Sequence, residues 1–236
     1  MQDRERDARI EDAVRNTHVV RPPQQALATF GQTIIKYHLI SRPVYADLDI
    51  GGPKDETVVR DGVVRAERPQ VVTPYYLSRL EGFSDNASRY LQYLMREYGP
   101  AAPGLLYTYR NEHAGTNFVS GRAEEVAARI MDSLDREKRA LEAVIHGVDD
   151  LWDVSLMKFI FELTNSSARS NFNELRSMGL LESKGGVPED ARRRIESMLE
   201  QARRGELDPS VVHRELERWG VFDEYEDRFL GLFRGR

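Results

Sequence analysis

Residues 57–66 are the segment of this sequence that most restricts its fold. An Asp-Gly pair, Asp61-Gly62, lies there between two short stretches rich in valine. Asp-Gly favours the positive φ angles of a type I′ turn, and β-branched residues favour strands. The sequence therefore predicts a β-hairpin at 57–66, with Val59 opposite Val64 on the buried face.

The hydrophobic pattern changes from strand-like to mainly helical after Tyr75. Helical spacing of apolar residues predicts helices over 84–99, over 120–147 and over 166–178, with one more strand at 105–110. Residues 151–163 are apolar on nearly every helical face, which predicts a buried central helix. The predicted fold class is α+β, with a small antiparallel β-containing N-terminal part and a mainly helical C-terminal part around that helix.

Three parts follow from the composition along the chain. Residues 1–23 alternate acid and base and end in Arg21-Pro22-Pro23, which predicts a mobile or weakly ordered N-terminal arm or a short solvated helix. Residues 24–118 form the mixed α+β part, and residues 119–236 form the helical part.

The composition excludes several classes of protein. The chain has no cysteine, which excludes disulfides, thiolate catalysis and cysteine-ligated metal centres. The N-terminus lacks the apolar run of about 7–15 residues that a secretory signal needs, and residues 151–163 are shorter than the roughly 20 residues of a membrane span. We therefore expect a cytoplasmic protein that does not enter a membrane.

No standard catalytic motif is present. The sequence contains no Gly-rich phosphate loop, dinucleotide fingerprint, His-Glu-x-x-His or Gly-x-Ser-x-Gly. No cofactor is predicted, and enzyme activity is left open with a preference against it.

The most polar candidate site follows the predicted strand at 105–110. It contains Tyr107, Arg110, Glu112 and His113. Glu112 and His113 would supply an acid/base pair, and Arg110 would hold an anion. Adjacent residues of a strand point to opposite faces, so the pair converges only if the chain has already left the sheet. The alternative is a polar loop after a buried strand.

A second cluster contains one imidazole and three carboxylates, His146, Asp149, Asp150 and Asp153. Such ligands suit manganese, iron or zinc. Acids at the start of a helix also complement its dipole and cap its free N–H groups. We favour capping, and no metal is assigned.

A third candidate is the predicted helix that carries Arg169, Asn171, Asn173 and Arg176. It is followed by Ser-Met-Gly-Leu-Leu and by a wing-like segment at 182–186. The pattern in residues 167–184 resembles the recognition helix and following strand of winged-helix DNA-binding domains, and this resemblance implies DNA binding. It departs from the family because the chain between 163 and 167 is too short for the usual intervening helix.

The C-terminal segment concentrates large aromatic side chains, namely Trp219, Phe222, Tyr225, Phe229 and Phe233. Aromatic residues are favoured both in cores and at interface hot spots. These residues therefore pack either within the chain or against a second subunit.

The leading hypothesis is a non-catalytic binding or regulatory protein that acts through helix-mediated protein contacts and forms a homo-oligomer. Its expected partner is a second copy of the chain or another protein. DNA binding through 167–184, and an enzyme site at 107–113 or 146–153, are the alternatives. Four of the five net negative charges lie in residues 119–164, which argues against contact of that region with nucleic acid and leaves the C-terminal third undecided.

Overall fold

A computed structural model of the chain describes residues 2–47, 55–80 and 85–233. Its helices are α1 (Gln2–Asn16), α2 (Pro74–Leu77), α3 (Asp85–Tyr98), α4 (Ala123–Arg136), α5 (Trp152–Ser177), α6 (Glu189–Arg203), α7 (Pro209–Trp219) and α8 (Phe222–Gly231), with a 3-10 turn at Val44–Asp47. Its strands are β1 (His18–Arg21), β2 (Thr33–Ser41), β3 (Glu56–Ala66), β4 (Gln70–Val72), β5 (Gly104–Leu106), β6 (Tyr109–Ser120), β7 (Glu142–His146), β8 (Ser183–Lys184) and β9 (Val187–Pro188). The predicted α+β class, with an antiparallel-rich N-terminal sheet and a helical C-terminal part, is confirmed.

The chain divides into two compact units, each built from two chain segments. Unit 1 combines Met1–Arg68 with Tyr107–Asn171, and unit 2 combines Pro69–Leu106 with Phe172–Arg236. Each of the parts predicted from the sequence, 24–118 and 119–236, therefore contributes residues to both units.

Unit 1 is built on a mixed sheet with the strand order β1-β7-β2-β3-β6. Strands β2, β3 and β6 pair antiparallel, whereas β7 is parallel to β2. A parallel pair needs a crossover, which α4 supplies between β6 and β7. Alternation along β2 directs Tyr37 and Leu39 to the core under α5 and Ile40 to the core under α4.

The structure has one continuous strand where the sequence predicts a hairpin at 57–66. Strand β3 runs through Asp61 and Gly62 and pairs along its length with β2 on one side and β6 on the other. The pairing with β6 shifts register between Asp61 and Gly62, where β6 carries one extra residue as a β-bulge. Hydrogen bonding to the two flanking strands therefore outweighs the local preference of Asp-Gly for a turn.

The predicted helix at 120–147 is a helix followed by a strand. Helix α4 ends at Arg136, and the chain turns at Lys138, whose φ is 54°. Strand β7 then lies between β1 and β2 in the sheet. Its residues Ala143, Val144 and Ile145 are fully buried. A short apolar run suits a strand that is buried on both faces as well as it suits a helix, so periodicity alone does not distinguish the two.

The predicted helices at 151–163 and 166–178 are one helix, α5. Its inner face packs on the sheet, and Leu156, Phe159 and Ile160 are buried there. Met157 and Phe161 are 63% and 65% exposed. The prediction that the helix is buried on all sides is therefore corrected to a helix with one buried and one exposed face.

Residues 1–23, predicted as a mobile or weakly ordered arm, contain helix α1 and strand β1. The Lys158 ammonium of α5 donates to the carbonyls of Val14 (2.9 Å) and Thr17 (2.6 Å). Strand β1 pairs with β7, and Arg21 at its end is 6% exposed.

Unit 2 is mainly helical. Its largest core cluster surrounds Trp219 and includes Tyr76, Ile195, Leu216 and Tyr225. Asp208 caps the N-terminus of helix α7, where its carboxylate accepts from Ser210 N, and Gly220 caps the C-terminus in the left-handed conformation. In the part of the chain that the structure describes, no helix is both long and apolar enough to span a membrane.

Candidate functional site

The residues at 107–113 lie in strand β6 and the turn before it. Their side chains are divided between the two faces of the sheet. Tyr109 packs in the core under α5, and its hydroxyl lies 2.5 Å from Thr164 Oγ1. Glu112 lies on the opposite face and accepts from Arg65 Nε at 2.9 Å. His113 faces the α5 side, with its ring 5.6 Å from that of Trp152. The structure therefore does not bring Glu112 and His113 together as an acid/base pair.

Tyr107 and Arg110 complete that candidate set. The Tyr107 and Tyr109 rings stack 6.4 Å apart, and burial raises the pKa of both phenols. The Arg110 side chain is largely exposed and lies 3.6 Å from a Glu112 oxygen. Arg65 holds the pKa of Glu112 below its usual value by a hydrogen bond and by its charge.

Three of the four predicted metal ligands, His146, Asp149 and Asp150, line one cavity of about 520 Å³. Asp149 accepts from Arg60 Nη1 at 2.6 Å and from Val44 N at 3.0 Å, and Asp150 pairs with Arg9 at 2.6 Å. The Asp149 carboxylate thus links the loop before α5, by hydrogen bonds, to β3 and to the turn after β2.

The remaining candidate, Asp153, accepts from Val154 N at the start of α5. Among the residues that the structure describes, no group of three or more His, Asp or Glu side chains is arranged to hold a metal ion.

That cavity lies at the carboxyl ends of the parallel strands β2 and β7, a common position for ligands in α/β sheets. The Nε2 atom of His146 is buried there without a hydrogen-bond partner. The pKa of Glu124, at the start of α4, is lowered by a hydrogen bond from its own backbone N–H and by the charges of Arg122, His146 and Arg42. The lining is polar and mixed in charge.

The four residues of the proposed DNA-reading helix occupy different environments on α5. Arg169, Asn173 and Arg176 are exposed, whereas Asn171 is 2% exposed and therefore not accessible to a base edge. The Arg176 guanidinium stacks over the Phe172 ring at 5.0 Å. A short hairpin, β8–β9, follows the helix.

The aromatic residues predicted as an interface belong largely to the core of unit 2. Trp219, Tyr225 and Phe229 are 2%, 6% and 8% exposed, and Phe222 packs against them. Phe233 is 53% exposed. Trp219, Phe222, Tyr225 and Phe229 therefore pack within the chain, which is one of the two alternatives that the sequence left open.

The sequence did not indicate a cluster around His38. His38 Nδ1 lies 2.6 Å from Asp61 Oδ1, and its Nε2 lies 3.3 Å from Glu142 Oε2. Burial alone lowers the pKa of His38, but the hydrogen bonds and charges of Asp61 and Glu142 outweigh it and raise the pKa above its usual value. Both ring nitrogens of His38 thus lie within hydrogen-bond distance of a carboxylate.

A cleft of about 440 Å³ opens beside His38, between α4 and the sheet. Its walls include Val59, Val119 and Val126, and Asp61 and Asn117 form its polar end. Asn117 Nδ2 donates to Asp61 Oδ2 at 3.2 Å. Only the β2–β3 register, which places His38 opposite Asp61, reveals this cluster.

No protein-family model, curated protein or solved structure matches this chain.

Proposed function

We propose that the protein is a non-catalytic binding or regulatory protein that acts through helix-mediated protein contacts. The observation that carries this proposal concerns α3, whose sequence is strongly amphipathic. None of the α3 side chains that the structure describes, Ala87 and residues 89–98, is buried. A cytoplasmic location is part of the proposal.

One face of α3 carries an apolar stripe formed by Leu91, Leu94 and Met95, each only partly covered. None of these three belongs to a core cluster of the described residues. Next to the stripe, Tyr90 and Tyr98 are 60% and 70% exposed. The helix thus presents apolar and aromatic area that its own unit does not bury.

Helix stability explains why this surface calls for a partner. Isolated helices shorter than about 12–15 residues are marginal in water, and most helices in proteins gain their stability by packing an amphipathic face. Tyrosine is enriched at interface hot spots because its ring buries large area while its hydroxyl stays hydrated. The stripe of α3 is therefore suited to the apolar surface of another protein chain.

The candidate catalytic groups give little support to an enzyme. Glu112 and His113 point to opposite faces of the sheet, and both nitrogens of His38 are engaged by carboxylates. The separation of Glu112 and His113 favours a binding role over acid/base chemistry at that place.

Site-specific crosslinking tests the proposal. A photoreactive side chain is placed at Leu94, in the stripe, or at Arg89, on the opposite face of α3. Each variant is produced in cells of the natural source and irradiated. We expect a covalent adduct to a protein, either another chain or a second copy, from position 94 and not from position 89. Equal adducts at both positions, or none at 94, would contradict the proposal.

A stability measurement supplies the control. Because Leu94 lies outside the core, Leu94→Glu should leave the thermal unfolding midpoint of the purified protein nearly unchanged while it abolishes the adducts formed from a neighbouring probe at Leu91. A large loss of stability would show that the stripe is a core element.

DNA binding through residues 167–184 stays a second prediction, favoured by the β8–β9 hairpin that follows α5. It predicts that Arg169→Ala and Arg176→Ala weaken binding to duplex DNA and that the affinity falls steeply with salt. A titration at low salt that detects no duplex binding would remove it.

A further inference from the structure

The cleft beside His38 lies at the open margin of the core between α4 and the sheet. Helix α4 packs over β7, β2 and β3, whereas β6 lies beyond β3 at the edge of the sheet. Val59 and Val126 are buried in this core, and Val119 and Ile130 pack at its rim. These four side chains form the apolar walls of the cleft.

The size and lining of the cleft are those of a small-molecule site. Its volume of about 440 Å³ lies within the range of roughly 300–1,000 Å³ that such sites span. Small-molecule sites have mainly apolar walls and a few polar groups that fix the orientation of the ligand. The polar groups at one end of this cleft therefore indicate what kind of molecule it accepts.

Asp61, at that end, is open to a ligand. Its side chain is 34% exposed. The residue opposite Asp61 on β6 is Gly115, and a Cβ atom at Gly115 would meet nothing within 4 Å. Strand β6 therefore leaves this side of the Asp61 carboxylate accessible from the cleft.

The polar end offers acceptors of hydrogen bonds more than donors. Among the described residues, Asp61 Oδ1 lies 2.6 Å from His38 Nδ1, and Asp61 Oδ2 accepts from Asn117 Nδ2 at 3.2 Å. Each oxygen of an ionised carboxylate can accept two hydrogen bonds, so both oxygens of Asp61 can accept another. His38 has no donor left for a ligand, because its Nε2 faces Glu142.

The charge at this end is negative. Glu142 lies 3.7 Å from the Lys36 ammonium and 3.9 Å from the Arg139 guanidinium, and it shares His38 with Asp61. Asp61 therefore keeps part of its negative charge unbalanced when His38 is protonated, and all of it when His38 is neutral. Because Asp61 lines the cleft and Glu142 does not, this charge faces a bound ligand.

A cationic side chain, Arg129, lies towards the other end of the cleft. Arg129 Nη2 donates to the Ser120 carbonyl at 3.3 Å. Ser120 is five residues along β6 from Gly115, which is about 17 Å at 3.4 Å per residue. The two charges of the cleft are thus separated along its length, with apolar walls between them.

We propose that this cleft binds a small organic amine, with its apolar body between α4 and β6 and its ammonium group against the Asp61 carboxylate. An ammonium group has three donors and no acceptor, so it complements an end that offers accepting oxygens. Hydrogen bonds between two charged groups are also roughly twice as strong as neutral ones. The inference goes beyond the proposed function, because it concerns a small molecule and residues of unit 1, whereas α3 belongs to unit 2.

Three probes that share one apolar body test the inference, namely phenylbutylamine, phenylbutanol and phenylbutyrate. Each is titrated, up to millimolar concentrations at neutral pH, into the isotope-labelled full chain, and binding is followed by the NMR shifts of backbone amides. The amine should bind about tenfold more tightly than the alcohol, and the carboxylate should bind more weakly than the alcohol. The shifts should concentrate at residues 117–119 and 126–133.

Asp61→Asn tests the position of the ammonium group. In this variant the amine should bind no more tightly than the alcohol, while the affinity for the alcohol stays unchanged. The matched control is Asp132→Asn, which removes the same charge from an exposed position of α4 outside the cleft lining and should leave all three affinities unchanged. Circular dichroism checks the fold of both variants. The ranking of the three probes on the wild type decides the inference even if Asp61→Asn does not fold.

Val119→Asn tests the apolar wall. It should weaken all three probes by similar factors, because it changes the wall and leaves the polar end as it is. Probes that bind Val119→Asn as tightly as the wild type would place the apolar body outside the cleft and overturn the inference.

Four other outcomes would also overturn the inference. They are no binding of the amine at millimolar concentration, equal affinities for the three probes, tighter binding of the carboxylate than of the amine, and shifts spread over the whole protein. A preference for the amine that persists in Asp61→Asn would show that the ammonium group lies elsewhere, which contradicts the assigned role of Asp61.

Discussion

The ring of Tyr37 occupies the space that a side chain on Gly62 would fill. The two residues lie opposite each other on β2 and β3, and Tyr37 is fully buried. A Cβ atom on Gly62 would lie well under 3.0 Å from three atoms of the phenol ring. The phenol hydroxyl is held by Asn111 Oδ1 at 3.1 Å, so the ring has little freedom to move aside. Gly62 is therefore a packing glycine inside a strand.

Gly62→Ala should destabilise unit 1 by about 1–3 kcal/mol, because the added methyl group overpacks a filled core. Chemical denaturation with Trp152 fluorescence measures the change. Gly115→Ala is the matched control, since Gly115 lies beside Asp61 on β6 and a Cβ there meets nothing within 4 Å. Equal stability of Gly62→Ala and wild type would show that the Tyr37 ring can shift.

A buried carboxylate on α7 gives a second prediction. Glu215 accepts from the Arg194 guanidinium, from the Tyr76 hydroxyl at 3.1 Å and from Trp219 Nε1 at 3.0 Å. Glu215→Ala leaves the largely buried Arg194 without its partner and should cost about 3–5 kcal/mol. The measurement is chemical unfolding followed by Trp219 fluorescence.

The control for this network is Glu217→Ala on the same helix, where the side chain is exposed. We expect that variant to change the free energy of unfolding by about 0.5 kcal/mol or less. If both substitutions lower the free energy of unfolding by similar amounts, the hydrogen bonds around Glu215 do not stabilise unit 2.

His38 gives a third prediction, on pH dependence. Its pKa is raised in the folded protein, so the folded state binds the proton more tightly than the unfolded chain does. The resulting stabilisation is fully present below the unfolded value of about 6.5 and is lost as the pH rises through the folded value. The charged groups that bear on it are Asp61 and Glu142, with Lys36 and Arg139 beside Glu142 and Arg129 in the cleft.

The free energy of unfolding, measured between about pH 5 and pH 9, should therefore fall with rising pH through this window. His38→Gln should flatten that fall, while His18→Gln, an exposed histidine on β1, should not. The same slope in all three proteins would show that His38 contributes nothing to it.

Sequence patterns predict the elements whose stability is local and miss those that depend on pairing. Helical spacing of Tyr90, Leu91 and Leu94 predicts a helix at 84–99, close to the observed α3. The same kind of spacing wrongly places Ala143–Ile145 in a helix, because an apolar run has no period that separates a central strand from a helix. At Asp61-Gly62 the local preference is for a turn, but pairing with two neighbouring strands decides the structure.

The candidate sites show the same limit. Asp149 and Asp150 are predicted as helix caps, and their carboxylates instead reach Arg60 and Arg9, which lie far away in the sequence. His38 and Asp61 meet only because of the β2–β3 register, which no local pattern specifies. The exposed face of α5 escapes prediction because Met157 and Phe161 are as apolar as the residues on its buried face.

The path of the chain through unit 2 has a consequence for truncated forms of the protein. Unit 2 consists of residues 69–106 and residues 172–236. The first segment supplies Val72 and Tyr76 to a core whose other members, such as Trp219, come from the second segment. A stop codon near residue 172 would therefore leave the apolar side chains of the first segment without this core.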